Sequence, residues 1–358
     1  MTDVVHRAET RRIEQPSGTV RGDMPWPWFA GGLAGLVAAV LAGMTLGPAA
    51  IPASAVLADV ASRLPLLDVG TQLSQIDATV LWELRAPRVV LGALVGATLA
   101  MAGGAYQAVF HNPLADPYLL GVAAGAGLGA TVAIAYAGAG GGLLPVAAFA
   151  GAVLAVAAAY GIGRSVGTAS RATLVLAGVA VAGFLSAIQT FVLQQNSEDV
   201  RAVYSWLLGR LSTSGWSDVV VVLPYVVVSA VTILAYRRVL DVLRVGDEEA
   251  ESLGVAVNRV RLIVVAAATL GTAAVVAVTG LIGFVGILVP HAIRLLAGAS
   301  YRIVLPLSAL FGAAFLVLAD VIARTVLSPA ELPIGVVTAC VGAPFFAVVL
   351  RTTTRGPS

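Results

Sequence analysis

Long apolar segments alternate with short polar ones along almost the whole chain. Ten apolar segments can be outlined, most of them close to the roughly 20 residues that a helix needs to cross a bilayer. All ten are predicted to be helical, because lipid offers no hydrogen-bond partner to an unpaired backbone group. Their approximate bounds are 28–47, 89–110, 118–137, 143–163, 172–195, 219–236, 262–281, 283–298, 303–323 and 333–350.

This pattern divides the chain into three parts. Residues 1–27 form a polar tail that is predicted to be disordered, residues 28–351 a membrane domain, and residues 352–358 a second polar tail. Gly and Ala are frequent within the apolar segments, which predicts close approach of neighbouring helices. The sequence GLIGF at 280–284 is a predicted tight turn that keeps two short spans separate.

Composition and charge agree with a multi-pass protein of the cytoplasmic membrane. The chain is 59% hydrophobic and only 11% charged. With the N-terminus placed in the cytoplasm, fifteen Arg residues fall on the inner side and six on the outer side. This asymmetry predicts an even number of spans with both termini cytoplasmic. The expected fold is therefore an all-α bundle of about ten transmembrane helices.

Several kinds of chemistry are excluded or disfavoured by what the sequence lacks. All 21 basic residues are Arg, and a standard P-loop needs a Lys to contact the nucleotide phosphates. The three histidines lie far apart in sequence, and neither HExxH nor GxSxG occurs. The single cysteine, Cys340, cannot form a disulfide framework or a thiolate metal cluster. These absences disfavour an ATPase or an intramembrane enzyme.

Charged residues at the predicted outer side allow two interpretations. Arg85 and Arg88 frame the sequence LRAPR, and Arg324 ends the ninth span. Each Arg can extend along the helix to reach water, or it can bind carboxylates of a partner protein. Asp320 lies one turn before Arg324 and is predicted to pair with it. Such pairing gives little support to ion-coupled transport.

The sequence HNPLADP, residues 111–117, could be a metal site, a catalytic cluster or a turn. Pro113 and Pro117 cannot continue a helix interior, and Asn112 and Asp116 favour turns through side-chain hydrogen bonds to the backbone. His111 has no second ligand nearby in the sequence. We therefore predict a structural corner at the cytoplasmic end of the second span.

The cytoplasmic segment 237–261 is long and charged. A short helix over about 248–253 is predicted, with Asp247 as its N-cap, acidic residues in its first turn and Gly254 as its stop signal. This helix can be a solvated surface turn, or it can be a rigid projection that transmits force from a soluble partner. The spacing alone leaves both interpretations open.

The chain resembles the FecCD/BtuC-type permeases, the membrane subunits of ABC importers for iron–siderophores, haem and vitamin B12. The resemblance depends on RAPR with HNPLADP, on GLIGFVGILVPHAIR at 280–294 and on ELPIGVVTACVGAPFF at 331–346. It extends from about residue 28 to the C-terminus. Motif residues that match the family are Gln107, Asn112, Pro113, Asp116, Pro117, Pro290, His291, Glu331 and Pro333.

The resemblance implies ten helices per subunit and several partners. These are a second permease copy or a paralogue, two ABC ATPase subunits that hold ATP and Mg²⁺, and an extracytoplasmic substrate-binding protein. It implies membrane lipid as the surroundings, no cofactor on this chain and no nucleic-acid partner. An iron–siderophore chelate is the expected substrate, with haem and cobalamin as alternatives. An ATP-independent channel is the rival from another class.

The resemblance also implies roles for individual residues. Arg85, Arg88 and Arg324 match positions that dock the binding protein, although Ala86 replaces a common Leu. The cytoplasmic gate corresponds to about 165–173, where Arg171 follows Ser170 near a position that is usually small and hydroxylated. The segment expected to couple to the ATPase consists of Asp247, Glu248, Glu249, Glu251, Leu253, Gly254 and Val255.

Overall fold

The structure is a computed structural model, and it describes residues 25–48, 51–63, 73–138, 142–165, 170–212 and 215–353. Within these ranges the chain forms fourteen α-helices. A π-helical turn, Val80–Arg85, lies between the third and the fourth of these helices. A 3₁₀ turn, Ser197–Asp199, lies between the seventh and the eighth. The α-helices are α1 (Trp26–Thr45), α2 (Ala53–Ser62), α3 (Gln75–Thr79), α4 (Ala86–Phe110), α5 (Val122–Ala137), α6 (Leu143–Ser165), α7 (Arg171–Gln195), α8 (Val200–Leu207), α9 (Trp216–Leu243), α10 (Asp247–Ser252), α11 (Val257–Thr279), α12 (Val285–Ala297), α13 (Tyr301–Thr325) and α14 (Ile334–Thr353).

Each of the ten predicted spans corresponds to a helix, which confirms the all-α membrane fold. Seven helical segments of the described chain are long and apolar enough to cross a membrane. The other three spans correspond to the shorter apolar helices α5, α12 and α14. The second span is longer than predicted, because α3, the π-helical turn and α4 form one continuous helical segment of 36 residues. The helices α2, α3 and α8 were not predicted.

Helix α4 lies at the centre of the bundle and packs against α1, α9, α11, α12 and α13. Most of its side chains are buried, and many of them are Gly or Ala. A methyl group on Gly96 would overlap the carbonyl oxygen of Gly312, and one on Gly103 would overlap that of Gly286. The small residues predicted to allow close helix packing therefore occupy the contacts of α4 with α13 and α12.

Several helices begin inside the bundle, where linkers replace continuous helix. The linker 280–284 between α11 and α12 includes the predicted GLIGF turn. Its Ile282 carbonyl accepts a hydrogen bond of 3.1 Å from the Tyr118 hydroxyl. The backbone N–H of Gly335, at the start of α14, donates to Leu208 at 3.1 Å. Partners of this kind allow irregular backbone to lie at membrane depth.

Candidate functional site

The HNPLADP segment forms the predicted corner at the end of α4. The Asn112 side chain accepts a hydrogen bond of 2.9 Å from the backbone N–H of Leu114. The Asp116 side chain accepts one of 2.7 Å from that of Tyr118. Both contacts are side-chain turns of the kind that Asn and Asp favour. Burial raises the pKa of Asp116 to about 6, although the Tyr118 N–H bond acts in the opposite direction.

One carboxylate joins three distant parts of the chain at this end of the bundle. Oδ2 of Asp247, on α10, lies 2.9 Å from Nη2 of Arg261 on α11 and 3.4 Å from Nε of Arg171 on α7. Oδ1 of the same residue lies 3.9 Å from Nε2 of His111 at the corner. We call Asp247, Arg171, Arg261 and His111 the Asp247 cluster. It brings together the predicted coupling segment, the gate region and HNPLADP.

The imidazole of His111 contributes little positive charge to this cluster. Burial lowers its pKa, and the nearby Arg171 lowers it further, while Asp247 acts in the opposite direction. His111 caps α4 in the left-handed conformation, with φ of 48°. It is therefore a neutral residue near neutral pH, and Arg171 and Arg261 supply the positive charge that faces Asp247.

Helix α10 confirms the predicted short helix, but the predicted N-cap is wrong. The N-cap is Gly246, and Asp247 is the first helical residue. Its side chain is drawn toward Arg261 rather than back to the helix N-terminus. The predicted stop signal is confirmed, since Gly254 follows the helix with φ of 84°. The Val255 N–H donates to Ala250 at 3.0 Å. The exposed residues of this segment are Glu248, Glu249, Glu251, Ser252, Leu253 and Gly254.

The gate region is described only in part, because residues 166–169 lie outside the described ranges. Ser170 caps α7, and its side chain accepts a hydrogen bond of 3.2 Å from the Thr173 N–H. Arg171 follows as the first residue of α7 and points to Asp247. The first turn of α7 is therefore held by its own cap and by the acidic residue of α10.

A second charged group lies at the opposite end of α4, roughly 35 Å away by the helical rise over residues 88 to 111. The Arg88 guanidinium donates to both carboxylate oxygens of Asp320 at 2.8 to 3.1 Å. It also donates to both oxygens of Glu331 at 2.8 and 3.0 Å. Arg324 lies 3.5 Å from Asp320, which confirms the predicted pair. We call these four residues the Arg88 network.

Two of the three Arg residues proposed for docking face inward in the single chain. Arg85 is 5% exposed and donates to the carbonyl oxygens of Met44 and Thr45 at 2.8 and 2.9 Å. Arg324 is 3% exposed and donates to the carbonyl of Gly43. Neither side chain extends to water as the snorkelling interpretation predicted. Glu331 is instead the most exposed charged group of the network, with its side chain 42% exposed.

A large apolar cavity lies between the linker 280–284 and helix α14. Its volume is about 770 Å³. Phe284 has a left-handed backbone, with φ of 69°, and its ring packs against Gly342 of α14. The cavity is lined by the residues Tyr118, Ala123, Leu207, Leu208, Leu281, Gly283, Phe284, Gly335, Val336, Ala339, Cys340, Ala343 and Pro344.

The remaining motif residues hold helices together. Gln107 donates to the Gly286 carbonyl at 3.1 Å, and Pro117 packs against the same glycine. Pro290 is buried beside Gly104. The His291 ring meets Phe345 edge-on at 6.3 Å between centroids, and Pro333 begins the turn into α14.

The partners that complete both charged groups could not be predicted from the sequence. Arg261 lies at the far end of the coupling segment, and only the fold brings it to Asp247. Arg88 and Asp320 are 232 residues apart in sequence. The presence of Asp320 in an otherwise apolar span was the one available signal, because a buried charge needs a partner.

Comparisons with known proteins agree with this architecture. The cobalamin import system permease protein BtuC of Halobacterium salinarum is 46% identical over 268 residues, which cover 75% of this chain and 72% of that protein. The Fe(3+)-citrate import system permease protein YfmD of Bacillus subtilis is 42% identical over 277 residues, covering 77% and 82%. A solved structure described as an inward-facing putative metal-chelate type ABC transporter superposes with a TM-score of 0.78 at 28% identity, over 92% of this chain and 99% of that one.

The family assignment extends over nearly the whole membrane domain. The model of the FecCD transport family matches residues 33–352. It therefore includes both charged groups and the apolar cavity. The region aligned with this chain covers more than two thirds of the length of each of these two relatives, so the match is not confined to one motif. The chain belongs to the FecCD transport family and is a multi-pass permease of the ABC importer type.

Proposed function

We propose that this permease moves a ferric chelate across the cell membrane, driven by ATP that is hydrolysed on separate subunits. The absence of any Lys excludes a standard P-loop on this chain. Relatives named as Fe(3+)-citrate and iron(3+)-hydroxamate permeases support the substrate class. ATP and Mg²⁺ are then bound by the partner ATPases, and this chain needs no cofactor.

The observation that carries the coupling mechanism is the set of contacts made by Asp247. Helix α10 presents acidic residues to solvent, and the apolar side chains of Val245 and Leu253 are exposed beside them. An exposed apolar patch with a charged rim is typical of a protein interface. Asp247 connects this surface to α11 and α7 through Arg261 and Arg171. A movement of α10 by the ATPase therefore reaches the start of α7, which belongs to the gate region.

The apolar cavity is the proposed section of the transport path. Its lining offers few polar groups, so a bulky chelate with an organic outer surface loses little hydration on entering. A small hydrated ion would lose its water ligands without replacement. A second permease copy or a paralogue completes the path on the open side of the cavity.

The Arg88 network is the proposed contact with the substrate-binding protein. The distribution of Arg predicts that this end faces outward and that the Asp247 cluster faces the cytoplasm. Arg88 is the most accessible of the three Arg residues, and Glu331 beside it is half-exposed. Carboxylates of a binding protein can therefore compete with Glu331 for the Arg88 guanidinium.

A second candidate substrate is cobalamin. It is favoured by the 46% identity to a relative named as a cobalamin import permease. Cobalamin and a ferric siderophore are both bulky chelates, and the cavity does not discriminate between them by charge.

The test is reconstitution of the full chain with its cognate ATPase and binding protein in proteoliposomes. Uptake of radiolabelled ferric citrate, a ferric hydroxamate and cobalamin is measured with and without ATP. ATP-dependent uptake of a ferric chelate is expected. Preferential uptake of cobalamin would replace the first candidate by the second. Uptake that needs neither ATP nor the ATPase would instead identify an ATP-independent channel.

A further inference from the structure

A second cavity lies among α4, α9, α12 and α13, close to the Asp247 cluster but separate from the apolar path. Its volume is about 220 Å³. Polar side chains line most of it: Gln107, His111, Arg244, Arg294 and Tyr301. The apolar transport path shares no lining residue with this cavity, and only His111 of the Asp247 cluster lines it.

Several of the polar atoms here are buried without partners. Within the described part of the chain, the Tyr301 hydroxyl lies beside the Arg294 guanidinium, but neither Nη1 nor Nη2 of Arg294 makes a hydrogen bond of good geometry, and Oε1 of Gln107 has no donor. A buried guanidinium without an acceptor is costly, since desolvation is not compensated. Both free nitrogens of Arg294 belong to the face of the guanidinium that binds two oxygens of one anion.

The charges around this cavity do not balance. Arg294 has no carboxylate within 4.0 Å among the described residues, and Arg244 lies close enough to repel it. Asp241, the carboxylate that lies near Arg244, already accepts hydrogen bonds from the Ser300 hydroxyl at 2.7 Å and the Tyr301 N–H at 2.6 Å. Arg244 reaches Asp241 only at 3.9 Å. Asp241 also lies 3.7 Å from Nε of Arg302, so Arg244 has only a share of this carboxylate, and Arg294 has none among the described residues.

The C-terminus of α4 does not supply the missing negative charge. Its last carbonyl groups carry a partial charge of about one half in total. Two of them, on Gln107 and Ala108, already accept hydrogen bonds from Asn112 and His111. The Arg294 nitrogens accordingly gain no acceptor from this helix end in the part of the chain that the structure describes.

We propose that this cavity binds the phosphate group of an anionic ligand, held by Arg294 with Arg244 and the Tyr301 hydroxyl. Two guanidiniums and a hydroxyl provide more donors than a carboxylate has oxygens, whereas a phosphate can accept from all of them. The ligand can be an anionic phospholipid headgroup or free inorganic phosphate. Basic pockets between helices at the cytoplasmic side of membrane proteins suit such headgroups.

The experiment measures ligand binding to the full chain purified in detergent. Isothermal titration uses inorganic phosphate, short-chain phosphatidylglycerol and the matching diacylglycerol without phosphate, all at constant ionic strength. R294Q removes the guanidinium. R164Q is the matched control, because Arg164 is an exposed cation at the same end of the bundle and forms no identified ion pair with a described residue.

The wild type and R164Q are expected to bind a phosphate-bearing ligand equally, and R294Q about tenfold more weakly or not at all. Binding of phosphatidylglycerol alone identifies a lipid site, and binding of phosphate alone a site for the free ion. If R294Q is misfolded, R294K replaces it and should still weaken binding, since an ammonium lacks the planar fork. Equal binding by the Arg294 variant and wild type, equal binding of diacylglycerol, or no binding would overturn the proposal.

Discussion

Oδ2 of Asp247, the first residue of α10, lies 2.9 Å from Nη2 of Arg261, whose side chain is 4% exposed. The pair joins a surface helix to a long helix of the membrane bundle. A buried cation that depends on a partly exposed carboxylate makes the position of α10 sensitive to that one contact. The same carboxylate also faces Arg171, so α10, α11 and α7 share it.

Asp247→Asn should uncouple transport from ATP hydrolysis. The amide keeps the size of the side chain but loses the charge, so the bonds to Arg261 and Arg171 weaken by about 1 to 3 kcal/mol. We expect ATP-dependent uptake to fall while the assembled complex retains ATPase activity. Asp247→Glu, which keeps a carboxylate at this position, is the control and should retain more uptake. Equal uptake by the two variants would contradict the coupling role.

Arg88→Gln should destabilise the protein far more than Glu331→Gln. Asp320 is 3% exposed and would keep only Arg324 at 3.5 Å, so loss of Arg88 should cost about 3 to 5 kcal/mol. Loss of the exposed Glu331 should cost no more than about 1 kcal/mol. Unfolding in mixed micelles by added SDS measures both. Similar SDS unfolding midpoints for the two variants would show that the Arg88–Asp320 contact does not stabilise the fold.

Glu331→Gln should also strengthen docking of the substrate-binding protein. It removes the carboxylate that competes for Arg88 and leaves the fold nearly unchanged, whereas Arg85→Glu or Arg324→Glu disturbs a buried side chain. A lower Kd is expected in surface plasmon resonance at low salt. Glu198→Gln is the control, because Glu198 is an exposed carboxylate on the predicted outer side and forms no identified ion pair with a described residue. An unchanged or weaker affinity of E331Q would speak against Arg88 as the docking group.

Gly103→Ala should disrupt the contact between α4 and α12. The added methyl group would overlap the backbone of Gly286, which cannot move aside as a flexible side chain can. A loss of at least about 1 to 3 kcal/mol is expected. No heavy atom lies within 4 Å of a methyl group placed on Gly161 of α6. Gly161→Ala should therefore leave the stability of the protein unchanged or raise it by about 0.5 to 1 kcal/mol. Thermal unfolding of both variants in detergent distinguishes the two positions.

Asp116→Asn should remove a pH dependence of stability. An unperturbed Asp has a pKa of about 3.9, whereas burial raises that of Asp116 to about 6. The folded state therefore holds its proton more tightly, and stability falls as pH rises from about 4 to about 6. Asn keeps the turn acceptor without a charge, so D116N should have the higher Tm at pH 7.5 and lose this advantage near pH 4. The exposed Asn112→Asp variant is the control, and parallel Tm profiles of D116N and wild type would refute the prediction.

The HNPLADP corner shows how far local sequence could be interpreted. Its turns follow from Asn, Asp and Pro acting on their own backbone, so the prediction needed no knowledge of the remaining fold. The N-cap of α10 shows the opposite case. Asp is a favourable N-cap, but a contact with Arg261 competes for the same side chain, and Gly246 takes the cap position.

The membrane class, the ten spans and the corner could be predicted from the sequence, because hydrophobic periodicity and turn chemistry are local properties. The absence of Lys likewise excluded a standard P-loop. Which charges meet depends on the tertiary structure. Arg88 contacts Asp320, which lies 232 residues away in sequence. The Asp247 carboxylate of α10 contacts both Arg171 of α7 and Arg261 of α11. Such contacts depend on how helices are placed relative to one another, and the close glycine packing around α4 sets that placement.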